Sequence, residues 1–285
     1  MTQPTPPLQD WLGRTETLDD KVTAAPLAGL SATLDRDDAP PGPGTCVPPL
    51  WHWIYFLPMA LQREIGPDGH PRRGGFLPPV ALPRRMWAGG RLQFNHDLHV
   101  GDEARRVSRI TSIQEKQGRS GPLVFVTVRH EISNARGLAI VEDHDIVYRD
   151  NPPADGSEAQ GAQPLAAPVD ESFSRVVTPD PVLLFRYSAL TFNGHRIHYD
   201  RSYVRDVEGY PGLIVHGPLI ATLLLDLLRR EMPQFKVTRF EFKAARPMFD
   251  INPFTVCGRA EADGGVRLWA RDHEGVLAMQ ARAAS

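Results

Sequence analysis

Cysteine is nearly absent from the chain: Cys46 and Cys257 are the only two in 285 residues. One bridge at most could form, which excludes the disulfide framework of a small secreted domain and points to a reducing compartment. Long apolar runs are missing too, none approaching the about 20 residues that a membrane helix needs. The opening stretch MTQPTPPLQDWLGRTETLDD has no basic segment followed by an apolar one. No signal peptide is readable there, and a cytoplasmic location is expected. An excess of either charge is lacking as well, since 32 basic residues meet 34 acidic ones for a net charge of -2. No global field draws the protein to nucleic acid or to an anionic membrane, so an anionic ligand must be met by local arginines. Aromatic residues do not interleave with a sustained basic face, which disfavours nucleic acid as a partner. HExxH and CxxC spacings do not occur, and no metal is expected.

What is present falls into two parts. Asn151 to Val169, NPPADGSEAQGAQPLAAPV, is rich in Pro, Ala, Gly and Gln without apolar periodicity and reads as a linker. It separates residues 1–150 from residues 170–285, two stretches of similar size. A weak repeat relates them at an offset of 148, laying LQFNHDLHVGD (Leu92–Asp102) over FEFKAARPMFD (Phe240–Asp250). Both segments alternate apolar and polar residues, as a half-buried strand does. Further strand-like runs follow each, PLVFVTVRHEI and LAIVEDHDIVY in the first part, PFTVCGRAEA, GVRLWARD and GVLAMQARA in the second. Turns such as ADGG and HEG suit antiparallel hairpins. The pattern predicts an α+β protein of two similar halves.

One strong helix is predicted over Pro218–Met232, PLIATLLLDLLRREM, apolar almost all round until Asp226 and so buried. Gly217 is read as its cap and Pro218 as its first residue, with Arg229 and Arg230 suiting the negative end of the dipole. The equivalent place in the first half, PPLWHWIYFLPMALQREIG, is aromatic and broken by Pro58, a degenerate version. Before the helix stands SALTFNGHRIHYDRSY (Ser188–Tyr203), which follows an apolar run and carries two histidines three positions apart. A buried helix start offers unpaired N–H groups and a positive dipole end, a natural oxyanion site. If the histidine loop folds over it, an imidazole and an oxyanion site face one substrate.

FNGHRIHYDRSYV followed by GLIVHGPLIATLLLDLL resembles the (R)-specific enoyl-CoA hydratase and MaoC-like dehydratase group. More closely it is similar to the branch of mesaconyl-CoA and itaconyl-CoA hydratases and type 2 hydroxyacyl-thioester dehydratases. The resemblance implies a double hot-dog fold, in which a curled antiparallel sheet wraps a helix in each half. It implies a hydro-lyase acting on an α,β-unsaturated acyl-CoA, a short branched dicarboxylyl-CoA (itaconyl-CoA or mesaconyl-CoA). The group's histidine falls on His198, the glycine before the helix on Gly217, and its aspartate on Asn193. His198 and Asn193 are then the catalytic pair and Gly217 the oxyanion donor. Because an amide cannot exchange a proton at neutral pH, the proton work falls on His198 and Asn193 is left to orient water or the ring. No cofactor is required, coenzyme A being part of the substrate.

The remaining candidates have two readings each. His195 either lines the pocket or is satisfied by backbone, and His216 either lines it or caps the helix. Arg196 and Arg246 either pair with an acid such as Asp200 or contact a thioester, phosphate or substrate carboxylate. In ALPRRMWAGGRLQF, Arg84, Arg85 and Arg91 are surface charge or receivers of coenzyme A phosphates, and GGR lacks the lysine of a phosphate loop. Tyr199 and Tyr203 are read as packing residues. A homodimer is expected because hot-dog sheets associate edge to edge. The competing functions are a 3-hydroxyacyl-thioester dehydratase of fatty-acid synthesis and a non-catalytic acyl-thioester-binding protein.

Overall fold

The structure, a computed structural model, describes residues 7–118, 121–150 and 164–285. The first half runs β1 (Thr15–Lys21), α1 (Ala24–Thr33), β2 (Arg84–Phe94), β3 (Glu103–Gly118), β4 (Gly121–Asn134) and β5 (Gly137–Arg149). The second runs β6 (Phe173–Val177), α2 (Pro181–Leu190), α3 (Arg201–Asp206), α4 (Gly217–Glu231), β7 (Arg239–Ala244), β8 (Phe254–Ala260), β9 (Val266–Arg271) and β10 (Leu277–Ala284). Among the described residues the ten strands form one sheet in the order β1-β3-β4-β5-β2-β7-β10-β9-β8-β6. Read outward from its middle, that order is the same in both halves. The predicted α+β class and double hot-dog layout are what the chain adopts.

The halves meet where β2 pairs antiparallel with β7, Gly89 opposite Lys243 through Gln93 opposite Arg239, and Leu92 stands opposite Phe240. Those two residues are the ones that the repeat offset relates. A residue facing its own counterpart across an antiparallel ladder marks a local two-fold axis, so the seam is where the duplicated halves turn onto each other. The glycines of AGGR belong to this seam. A Cβ on Gly89 would stand 2.5 Å from the Phe242 carbonyl oxygen, and one on Gly90 2.8 Å from the Phe242 ring. The strand runs read in the sequence are strands, but those of LQFNHDLHVGD and FEFKAARPMFD end at Phe94 and Ala244, before the segments do.

The predicted central helix is α4, shifted by one residue, with His216 at its cap and Pro218 in the second helical position. Every residue from Leu219 to Leu228 is buried, and the helix packs against β6, β8, β9 and β10. In the first half the matching place holds two short 3₁₀ turns, Trp51–Ile54 and Gln62–Glu64, so the sheet there encloses space instead of a helix. Residues 151–163 of the expected linker lie outside the described residues. Its end belongs to the second half, where Leu277 N donates to the Leu165 carbonyl at 2.8 Å and Ala167 is buried with Cys257, Trp269 and Leu277. Both cysteines are free thiols. No helix among the described residues is long and apolar enough to cross a membrane.

Asp226 is the one acid on the buried stretch of α4, its side chain 1% exposed, and three guanidinium groups hold it: Arg36 at 2.7 Å, Arg175 at 3.1 Å and Arg230 at 2.8 Å. Arg36 comes from the first half, so the pairing also fastens the two halves. Asp226→Ala leaves three cations without their shared anion, and breaking a buried pair costs about 3 kcal/mol or more. Urea unfolding should show a loss of that size; a loss under about 1 kcal/mol would show that water replaces the carboxylate freely.

Candidate active site

The site begins at α2. Asp180 caps it, accepting from Val182 N at 2.7 Å and Leu183 N at 3.0 Å, with Pro181 in the first turn. The helix stops at Leu190, and Phe192, at φ 49°, turns the chain into the histidine loop. Asn193 then does what Asn-Gly does in turns: its Oδ1 accepts from His195 N at 3.0 Å. A 3₁₀ turn over Arg196–His198 follows. Ile214 N donates to the Ile197 carbonyl at 2.9 Å, and His198 Nδ1 bonds the Ile214 carbonyl at 2.7 Å. Two stitches thus bind the histidine loop to the strand leading into α4.

Because a carbonyl oxygen only accepts, His198 Nδ1 must carry the proton, which leaves the lone pair on Nε2. The His198 ring lies flat on His216, centroids 3.6 Å apart at 17°, and meets His195 edge-on at 5.5 Å. His216 in turn bonds Ser188 Oγ on α2 at 2.8 Å. Burial pushes His198 down to about 4 against the raising effect of the Ile214 carbonyl, so the ring is a neutral base at pH 7. At the start of α4, the Gly217 N–H has no hydrogen-bond partner among the described residues, and Pro218 has no N–H. His198, Asn193, His195 and Gly217 all line one cavity of about 2140 Å³ that extends into the first half.

Other expected contacts are placed differently. His216 is wholly buried beneath His198 and does not line the cavity, because the stacked ring covers it. Arg196 also faces away from it, bonding Asp200 at 2.8 Å and the Pro67 carbonyl at 3.0 Å while lying over the Tyr203 ring. Arg246 borders the cavity but pairs with Asp272 at 3.0 Å. Arg91 pairs with Asp145 and Arg129's partner Asp143, and Arg84 donates to Tyr210 and the Glu208 carbonyl.

The first half contributes groups that the sequence reading missed. Arg196 N donates to the Asp68 carbonyl at 2.9 Å, bringing the 66–70 turn onto the histidine loop. Gly69, at φ 90°, lies so close to Gly194 that a Cβ would stand 1.8 Å from its carbonyl oxygen, so both glycines are required. His70 rests 4.1 Å from His195, and one donor atom each of Asp68, His70 and His195 lies within 4.8 Å of the others. These could ligate a divalent ion, although Asp68 Oδ1 already accepts from His70 N at 3.0 Å and the Arg85 charge bears on both rings. Deeper in, the 3%-exposed Glu142 accepts from Trp53 Nε1 at 3.1 Å and meets His52 Nε2 at 3.1 Å. Burial raises Glu142, but the His52 bond and the neighbouring imidazoles outweigh it and hold the carboxyl down to about 2. His144 stacks on Trp87 at 3.8 Å, and His130 bonds Ser108 Oγ at 2.8 Å. A signal existed: on β5, Glu142 and His144 share the parity of the apolar Ile140, Ile146 and Tyr148, so alternation puts them inward.

A double hot-dog chain with a neutral imidazole and an open amide at the mouth of its central helix defines the hydratase and dehydratase class of acyl-thioester lyases. The family model described as hydroxyacyl-thioester dehydratase type 2 matches residues 50–250. The mesaconyl-C(4)-CoA hydratase of Chloroflexus aurantiacus is 46% identical over 272 residues, 95% of each chain. The mitochondrial hydroxyacyl-thioester dehydratase type 2 of Schizosaccharomyces pombe is 28% identical, covering 84% of this chain and 88% of its own. Among solved structures, HtdX of Mycobacterium tuberculosis superposes with a TM-score of 0.68 at 18% identity, covering 95% of this chain and 100% of its own. A MaoC-like dehydratase reaches 0.71 at 14% identity, covering 97% and 98%. The chain belongs to the hydroxyacyl-thioester dehydratase type 2 family and is a carbon–oxygen lyase of acyl thioesters.

Burial lowers His130 to about 4, His144 to about 3, His195 to about 2 and His198 to about 4. Unfolded, each takes up a proton near about 6.5, so the unfolded chain binds more protons than the folded one below that pH. Stability is therefore full above pH 6.5 and is lost as pH falls from about 6.5 towards 4. Differential scanning calorimetry should show a steady Tm from pH 8 to 7 and a decline below 6.5, less steep in His144→Gln. A flat Tm down to pH 4.5 would mean that these rings are protonated in the folded protein.

Proposed function

We propose that the enzyme hydrates mesaconyl-C4-CoA, a four-carbon unsaturated thioester with a methyl branch and a free carboxylate. The observation that carries this reading is the opening of His198 Nε2's ring and the unpaired Gly217 N–H into one cavity. The substrate is supported by the 46% identical relative named for it. His198 Nε2 takes a proton from water while the water oxygen bonds to the β-carbon. The C=C electron pair moves towards the thioester oxygen, whose charge the Gly217 N–H and the positive end of α4 stabilise. The imidazolium then returns a proton to the α-carbon, giving the 3-hydroxyacyl thioester and the neutral ring. Asn193, with its Oδ1 engaged by His195 N, keeps its NH₂ for the water oxygen. His195 walls the pocket beside His198.

Nothing in these steps calls on a metal or a nicotinamide, and coenzyme A enters only as the carrier. The exposed Arg63 and Arg72, which border the cavity, suit its phosphates. The enzyme works in the cytoplasm as a homodimer, with a copy covering exposed Val176 on the edge strand β6 and Val182 and Phe185 on α2. Light scattering should return twice 31.7 kDa.

Loss of the ultraviolet absorbance of the unsaturated thioester, followed with mesaconyl-C4-CoA, itaconyl-CoA and crotonyl-CoA, tests the activity. Mesaconyl-C4-CoA should be turned over fastest. Preference for a long 3-hydroxyacyl thioester in the dehydration direction would favour the fatty-acid reading, and binding without turnover of any would favour the non-catalytic one. His198→Ala should lower kcat by about 10²–10⁴ with an unchanged circular dichroism spectrum. A variant retaining above a tenth of the activity would remove His198 from the chemistry. The acid limb of kcat/KM in the wild type should fall near pH 4, where Nε2 becomes protonated, and not near 6.5.

A further inference from the structure

The five arginines that the sequence offered to an anionic ligand are no longer equivalent. Arg196 is held by Asp200, Arg246 by Asp272 and Arg91 by Asp143 and Asp145, while Arg84 reaches Tyr210 and Glu208. Arg85 is different. It is half-buried on β2, shares the inward face with Trp87, and lines the cavity. Its register partner across the ladder is Tyr148. The histidines that feel its charge are His70 and His195 on the catalytic side and His144 on the first-half side. Burial keeps all three rings neutral. Among the described residues no carboxylate lies within salt-bridge distance of it, although 20 other pairings in the chain satisfy that distance.

A half-buried guanidinium with no salt-bridge partner among the described residues and open space before it is a receptor awaiting an anion, since burial without a counter-charge is costly. We propose that Arg85, opposite Tyr148 on the β2–β5 ladder and facing the cavity, binds the free carboxylate of the acyl group. The assignment rests on the dicarboxylyl-CoA reading above and supplies its specificity element. Chemistry fixes where such a receptor must stand: in mesaconyl-C4-CoA the carboxylate is bonded directly to the β-carbon, the atom that the water attacks. Its partner therefore has to lie within reach of the base, and Arg85 lines the same cavity as His198 and as His195, which meets His198 edge-on. Arg85 also does more than hold. A carboxylate on the β-carbon repels an incoming oxygen nucleophile, and pairing it with a guanidinium removes that repulsion. An acyl chain ending in methyl leaves the cation unpaired, so the same residue rejects monocarboxylic substrates.

Isothermal titration with succinyl-CoA and butyryl-CoA isolates this contact, because the two saturated thioesters differ only in carboxylate against methyl and do not react. Wild type should bind succinyl-CoA about 10–100-fold more tightly, the size of a charge-assisted contact. In Arg85→Gln the ratio should approach one, with the loss falling on succinyl-CoA, and Arg85→Lys should restore part of it. Equal weakening of both thioesters, or an unchanged ratio in Arg85→Gln, overturns the assignment. So does a wild type that does not discriminate, even if it hydrates mesaconyl-C4-CoA; in that case the lyase reading stands and only Arg85 loses its role. A wild type that binds neither thioester overturns both. Should Arg85→Gln fail to fold, the comparison of Arg85→Lys with Arg85→Met reads the same ratio.

Discussion

The hydrogen bond from His198 Nδ1 to the Ile214 carbonyl is the contact on which the site depends. It settles the tautomer, because the acceptor has no proton to give, and so directs the basic nitrogen away from the backbone. It also fixes position. Together with Ile214 N on the Ile197 carbonyl it ties the histidine loop to the entry of α4, so the imidazole and the helix start move as one piece. The flat contact with His216, itself anchored to Ser188 on α2, leaves the His198 ring one orientation. A side chain prepared in this way loses little freedom when a substrate arrives.

The two halves share one architecture and divide the work. The second keeps a central helix whose N-terminus opens on the cavity; the first has two short 3₁₀ turns in its place and keeps the volume. Into that volume the first-half strands turn polar groups, Glu142 with His52 and Trp53, His144 on Trp87, and Arg85 against Tyr148. An apolar container would suit a fatty chain. Here the lining is mixed, with these donors and charges set among Leu57, Phe76, Leu77 and Ile146, and the polar groups cost stability unless they are satisfied within the protein or by a ligand.

The histidine loop and α4 were legible in the sequence because each is contiguous, so one glance at FNGHRIHYD or PLIATLLLDLL contains the whole signal. What was not legible depends on stacking and on register. His216 looked like a pocket residue from its place before Gly217, and nothing in its neighbours foretold a ring lying over it. The Arg196–Asp200 ion pair, by contrast, was one of the two readings that the sequence left for Arg196; the Pro67 carbonyl that also holds it was out of view. Strand β3 went unread because a bulge between Ile110 and Ser112 resets the alternation and charged residues occupy most outward positions. Strand β1, TETLDDK, is an exposed edge with one leucine, so it carries almost no apolar pattern at all.

The seam between β2 and β7 has a consequence for how the molecule assembles. Hairpins β3–β4–β5 and β8–β9–β10 join neighbours in sequence, whereas the seam closes a loop of just over half the chain, a slow kind of contact to form. The walls of the pocket come from both sides of it. A chain whose halves have each folded but not docked therefore has no recognition surface, and substrate can bind only the fully closed molecule. By mass action a bound thioester then pulls the population towards that last step, making the ligand a chaperone for its own enzyme.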